Sequence, residues 1–81
     1  MIKSKNPRDI INEIKWRGLS LEDCEIVYLH RGAPGDRKVV RATEVEKIEG
    51  GFMLIGGTMI PFHRILEIRF KGETVFERRR A

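Results

Sequence analysis

Apolar residues recur along this chain with two different periods. Between residues 7 and 17, Ile10, Ile11 and Ile14 fall on one side of a helix, with polar residues around them. Asn6 is a capping residue, Pro7 suits the first helical position, and Asp9 complements the positive end of the helix. Gly18 marks the stop. This pattern predicts an amphipathic helix over residues 7–17 that covers a sheet. From residue 25 the signal changes. The run EIVYLHR (residues 25–31) is rich in β-branched and aromatic residues and apolar on both sides, which predicts a central strand. GAPGD (residues 32–36) is a loop, and residues 38–41 are a second strand. Gly50-Gly51 and Gly56-Gly57 are turns around a strand at Phe52–Ile55. Residues 58–60 begin another strand, which Pro61 ends or bends. Ile65–Phe70 and residues 74–77 form a hairpin around Lys71-Gly72.

Val40, Val45 and Ile48 have the same spacing as Ile60, Ile65 and Ile68, twenty residues later. Each copy reads strand, short turn, strand. A true internal repeat and a coincidence between two β-hairpins both account for it. The fold class expected is α+β: one N-terminal helix packed on a curled antiparallel sheet or small barrel of five to six short strands. The sequence leaves sheet or barrel open. Residues 1–81 read as a single domain, with a flexible basic lead-in at 1–5 and a basic tail at 78–81.

At 81 residues the chain buries only about 60–65% of its unfolded surface, which leaves little room for an elaborate catalytic cavity. Cys24 is the single cysteine, so no internal disulfide and no cysteine-based zinc site is expected. Its neighbours Asp23 and Glu25 disfavour a thiolate, making it a poor nucleophile. No apolar run approaches the roughly 18 residues of a membrane span, and the N-terminus lacks a signal-peptide core, so a cytoplasmic protein is expected. No metal or cofactor is anticipated, because neither an HExxH motif nor an acidic metal cluster is present.

Charge changes this picture. The net charge is +4 and the pI about 9.6. Residues 31–41 hold Arg31, Arg37, Lys38 and Arg41 against one acid, Asp36, and the C-terminus adds Arg78, Arg79 and Arg80. Acids cluster elsewhere, at residues 22–25 and 44–49. An excess of this size is common among proteins that bind no polyanion, but here the charge is patched, as the electrostatic reading for nucleic-acid binders requires. Within it stand two His-Arg pairs, His30-Arg31 and His63-Arg64. An Arg fork grips a phosphate with two parallel bonds, and His titrates near neutrality and can donate to a phosphoryl oxygen. Both pairs are expected at one anion site, supported by Arg37 and Lys38. The bland alternative makes His30 a partly buried strand residue and each Arg a solvated neighbour. Gly32 and Gly35 let the GAPGD loop turn backbone N–H groups toward a phosphate. Trp16 and Phe62 are candidates to stack on an unpaired base. Phe62 is favoured because its neighbours suggest a turn, whereas a Trp at such a position more often packs against the sheet.

The stretches IKW (residues 14–16), YLHRGAPGD (residues 28–36) and IPFHRILEI (residues 60–68), in that order, resemble a largely archaeal family named the RNA cyclic-group end recognition domain. The resemblance runs from about residue 6 to residue 78. It implies recognition of RNA ending in a 2′,3′-cyclic phosphate or a related processed end. The matching positions are His30, Arg31, Gly32, Asp36, Pro61, His63 and Arg64, and all are kept. In that family the domain is also found fused to cyclic phosphodiesterase-like and nucleotidyltransferase-like domains, so RNA-processing enzymes are candidate partners.

Three functions follow as alternatives. The first is a module that binds single-stranded RNA ends, in RNA processing or repair. The second is a small metal-free cyclic phosphodiesterase using two His as acid and base. The third is a protein–protein adaptor whose sheet edge accepts a partner strand.

Overall fold

The structure, a computed structural model, describes residues 6–78. The expected lead-in at residues 1–5 and the tail residues 79–81 lie outside the described part. Helix α1 spans Pro7–Trp16. Asn6 caps it: its side-chain oxygen accepts from the Asp9 N–H at 3.0 Å. At the other end the Gly18 N–H donates to the Lys15 carbonyl and the Leu19 N–H to the Ile14 carbonyl, the paired bonds of a Schellman stop. Ile10, Ile11 and Ile14 are fully buried, as their spacing requires.

Seven strands follow: β1 Cys24–Leu29, β2 Arg37–Arg41, β3 Val45–Glu49, β4 Phe52–Ile55, β5 Thr58–Pro61, β6 Ile65–Phe70 and β7 Glu73–Glu77. They form two antiparallel sheets and not one curled sheet: a four-stranded sheet ordered β2-β1-β6-β7 and a three-stranded sheet ordered β3-β4-β5. The strand number exceeds the expected five to six because the chain leaves one sheet for the other at short corners, which split long apolar patterns into separate strands. Ala42–Glu44 is the corner from β2 to β3, and Phe62–Arg64 the corner from β5 to β6. Each is one turn of 3-10 helix. In each, the N–H of the next residue closes on the carbonyl of the first corner residue.

These corners give the twenty-residue echo a structural meaning. Val40 and Ile60, Ala42 and Phe62, Val45 and Ile65 are buried at equivalent places. The echo extends to a feature not visible in the sequence. The register of β3 against β4 skips Glu46, and that of β6 against β1 skips Leu66, so each second strand bulges at its second residue. The repeated unit is therefore strand, corner, bulged strand.

Strand β1 is central, as expected, but it ends at Leu29. His30 and Arg31 lie beyond it and are exposed. The chain turns there because the His30 N–H donates to the Asp36 carbonyl at 2.8 Å and the Ala33 N–H donates back to His30. The core joins α1 to both sheets through Ile10, Ile14, Ile26, Met53, Ile65 and Ile68. Cys24 is also in this core. Burial first, and the Glu25 carboxylate second, push its thiol up to about 11.

The β6–β7 hairpin turns on Lys71-Gly72, with φ of 52° and 79°. Positive φ at both central residues is the conformation whose twist suits two paired strands. Gly adopts it freely, whereas Lys is strained there by about 1–2 kcal/mol. Lys71→Asn is expected to raise stability by about 0.5–1 kcal/mol, because the relieved strain outweighs the exposed contact of Lys71 with the Phe70 ring. A higher urea midpoint at unchanged slope is the reading that checks it. For Cys24, a thiol reagent at pH 8 is expected to label the native protein far more slowly than the urea-unfolded chain, which takes one equivalent.

Candidate nucleic-acid interface

Antiparallel pairing of β1 with β6 sets the site. Tyr28 pairs with Ile65, so β1 runs out into His30-Arg31 where the corner His63-Arg64 leads into β6. Strand β2 begins on the same end, with Arg37 opposite Leu29 and Lys38 opposite Tyr28. Strand β7 ends there too, since the Arg78 N–H donates to the Leu66 carbonyl at 2.8 Å. The sheet order β2-β1-β6-β7 thus lines up basic residues from four strands along one rim. Adjacent strands are about 4.8 Å apart, so the row is compact.

The two His-Arg pairs line a single cleft of about 640 Å³, with Arg78 beside them and Leu29 and Leu66 as the apolar part. The bulge at Leu66 brings that side chain to the cleft. All five basic residues of the cleft are exposed. Among the described residues, neither Arg31 nor Arg64 forms a side-chain hydrogen bond or an ion pair. Their guanidinium donors are therefore available to an anion. The Arg78 side chain is instead held in place. Its Nε donates to the Ile65 carbonyl at 3.0 Å and its guanidinium lies 5.5 Å from the Phe76 ring centre. Beneath His30, the buried Tyr28 ring meets the imidazole edge-on at 6.1 Å. Burial, then the Glu44 carboxylate, raises the Tyr28 phenol above its ordinary range and keeps it protonated.

Arg37 and Lys38 flank the cleft on two sides. Arg37 lines a smaller pocket with Arg31 and Gly35. Lys38 lines a neighbouring groove that also takes in His30 and Arg64. Arg78 was not among the residues singled out from sequence for the site. The C-terminal arginine run was its signal, but only the pairing of β7 with β6 brings its first member to the cleft.

Three sequence expectations meet a different arrangement. Phe62 is 7% exposed and lies in the core, as the counterpart of Ala42 in the other corner, so its ring has no free face for a base. The turn was inferred correctly, but the first residue of such a corner points inward. Trp16 is 87% exposed and does not pack against the sheet. Two residues beyond Ile14, it is rotated about 200° from the buried face of α1. It lines a separate depression with Lys15 and Lys47, away from the His-Arg cleft. In the GAPGD loop, the Gly32 N–H is directed at the Asp36 carboxylate at 3.5 Å, and the Ala33 and Asp36 N–H groups bond within the loop. Gly35, at φ 67°, supplies the left-handed step that closes it. These three N–H groups are directed within the loop itself.

Among the described residues, no three His, Cys, Asp or Glu gather where they could hold a metal ion, and no helix is long and apolar enough to cross a membrane.

No solved structure matches the chain. Sequence relatives do. A UPF0248 protein of Methanocaldococcus jannaschii is 40% identical over 75 residues, which cover 89% of this chain and 92% of that relative. One from Methanococcus maripaludis is 43% identical over 75 residues, covering 89% and 97%. Another from Pyrobaculum calidifontis is 33% identical over 78 residues, covering 90% and 97%. The model of the MJ1316 RNA cyclic group end recognition domain matches residues 5–78, and the chain therefore belongs to that family.

Proposed function

We propose that this protein binds single-stranded RNA ends that carry a phosphoryl group, a 2′,3′-cyclic phosphate above all. The observation that carries this reading is the convergence of His30-Arg31 and His63-Arg64 on one cleft. A cyclic phosphate is a compact monoanion. One guanidinium fork with one or two imidazole donors satisfies its free oxygens, and the second Arg with Arg78 serves the preceding phosphate. The apolar side chains Leu29 and Leu66 lie against the sugar. Sequence-specific recognition of RNA commonly takes place at such unpaired ends. The family's name points the same way. Farther off, exposed Trp16 between Lys15 and Lys47 offers a stacking face to an upstream base.

A second reading rests on the same convergence. Two imidazoles in one cleft can open a cyclic phosphate, one taking a proton from water and the other donating to the leaving ribose oxygen.

The test of the first reading is titration of short RNAs, identical but for a cyclic-phosphate, 3′-phosphate or hydroxyl end, at fixed salt. The cyclic end is expected to bind tightest. Of Arg31→Ala and Arg64→Ala, the variant that removes the fork on the terminal group is expected to weaken the cyclic end about 10–100-fold with the hydroxyl end nearly unchanged, and the variant that removes the contact to the preceding phosphate to weaken all three ends alike. Equal affinity for all three ends refutes end recognition. The second reading predicts slow conversion of the cyclic end to a monoester, lost in both His30→Ala and His63→Ala; an intact RNA after prolonged incubation refutes it.

A further inference from the structure

The cleft does not stop at the His-Arg pairs. A second cavity of about 640 Å³ shares His30 and Arg64 with it and is lined by Lys38 as well. Its size is that of small-molecule sites. Ile55, Met59 and Ile60 belong to the apolar part of its lining, and Glu44 and Glu46 line it too, Glu46 also bordering the depression beside Trp16. A groove lined by three basic side chains and two acidic ones is unsuited to a run of phosphates. It suits one nucleoside, with its phosphate at the mouth and its base inside.

The two carboxylates differ. Glu44 is engaged, one oxygen accepting the Arg41 N–H at 2.9 Å. Glu46 is the bulged residue of β3, turned out of the ladder, and forms no side-chain hydrogen bond or ion pair with another described residue. Bulges commonly re-aim a side chain in this way next to a binding site. Guanine alone among the standard bases presents two adjacent N–H donors on its pairing edge, and one carboxylate accepts both in parallel. Uracil presents an acceptor on each side of its single donor, which a carboxylate repels.

We infer that this groove holds the terminal nucleoside of the bound RNA and that Glu46 selects guanosine there. The inference rests on the RNA-end reading and adds base selectivity to it. Met59, 47% exposed, supplies apolar surface for the base. Its contribution does not depend on which base is bound.

The experiment compares four RNAs that differ only in the terminal nucleoside, each with a cyclic-phosphate end, together with their hydroxyl-ended partners. Wild type is expected to bind the guanosine end about tenfold or more tighter than the uridine end. Glu46→Gln, at an exposed position, is expected to remove that preference by weakening the guanosine end, leaving the gap between cyclic and hydroxyl ends intact. Met59→Ser is expected to weaken all four cyclic ends alike. Equal binding of the four bases, with the cyclic end still preferred, overturns the groove inference alone. A base preference unaltered in Glu46→Gln overturns the role of Glu46. No preference for the cyclic end overturns the RNA-end reading and this inference with it.

Discussion

The pairing of β1 with β6 is the constraint on which the rest depends. It joins two strands whose His-Arg pairs are thirty-three positions apart in the chain, and its antiparallel sense makes the end of one meet the start of the other. A one-residue slip of β6 would turn Ile65 and Ile68 out of the core, so hydrophobic burial holds the register that assembles the basic rim. The same pairing brings β7 alongside β6 and with it Arg78. Positive charge collected this tightly opposes folding at low ionic strength. The core must outweigh that repulsion, and a bound anion relieves it.

Elements written in local chemistry were legible in the sequence. Asn6-Pro7 and Gly18 delimit α1 to within one residue of its observed end, and Phe52–Ile55 lies between two glycine pairs as expected. The extent of β1 was not legible. Its apolar, aromatic run continues through His30, and what ends the strand is a backbone bond to Asp36, six residues away. Pairing information of that kind has no local signature.

The candidate site divides along the same line. From residue type the two His-Arg pairs were candidates for one anion site, with solvated strand neighbours as the alternative; the structure brings them to one cleft. Phe62 and Trp16 were harder. An aromatic next to Pro61 suggests an exposed turn, yet its burial is decided by the inward aim of the first corner residue. The exposure of Trp16 follows from its helical phase, which a fixed preference for buried tryptophan overrode. The bulges at Glu46 and Leu66 are invisible in sequence, because a strand with one unpaired residue keeps an ordinary composition.

Each corner assigns its three positions to different tasks. Ala42 and Phe62 anchor to the interior, whereas Thr43-Glu44 and His63-Arg64 face water. Frame and chemistry are thus uncoupled within a single turn of chain. The outward pair is neutral and acidic in one corner and doubly basic in the other, although Glu44 also caps its own corner by accepting the Arg41 N–H. A fold built from two such corners thus sets an acidic and a basic side chain, Glu44 and Arg64, on a common groove.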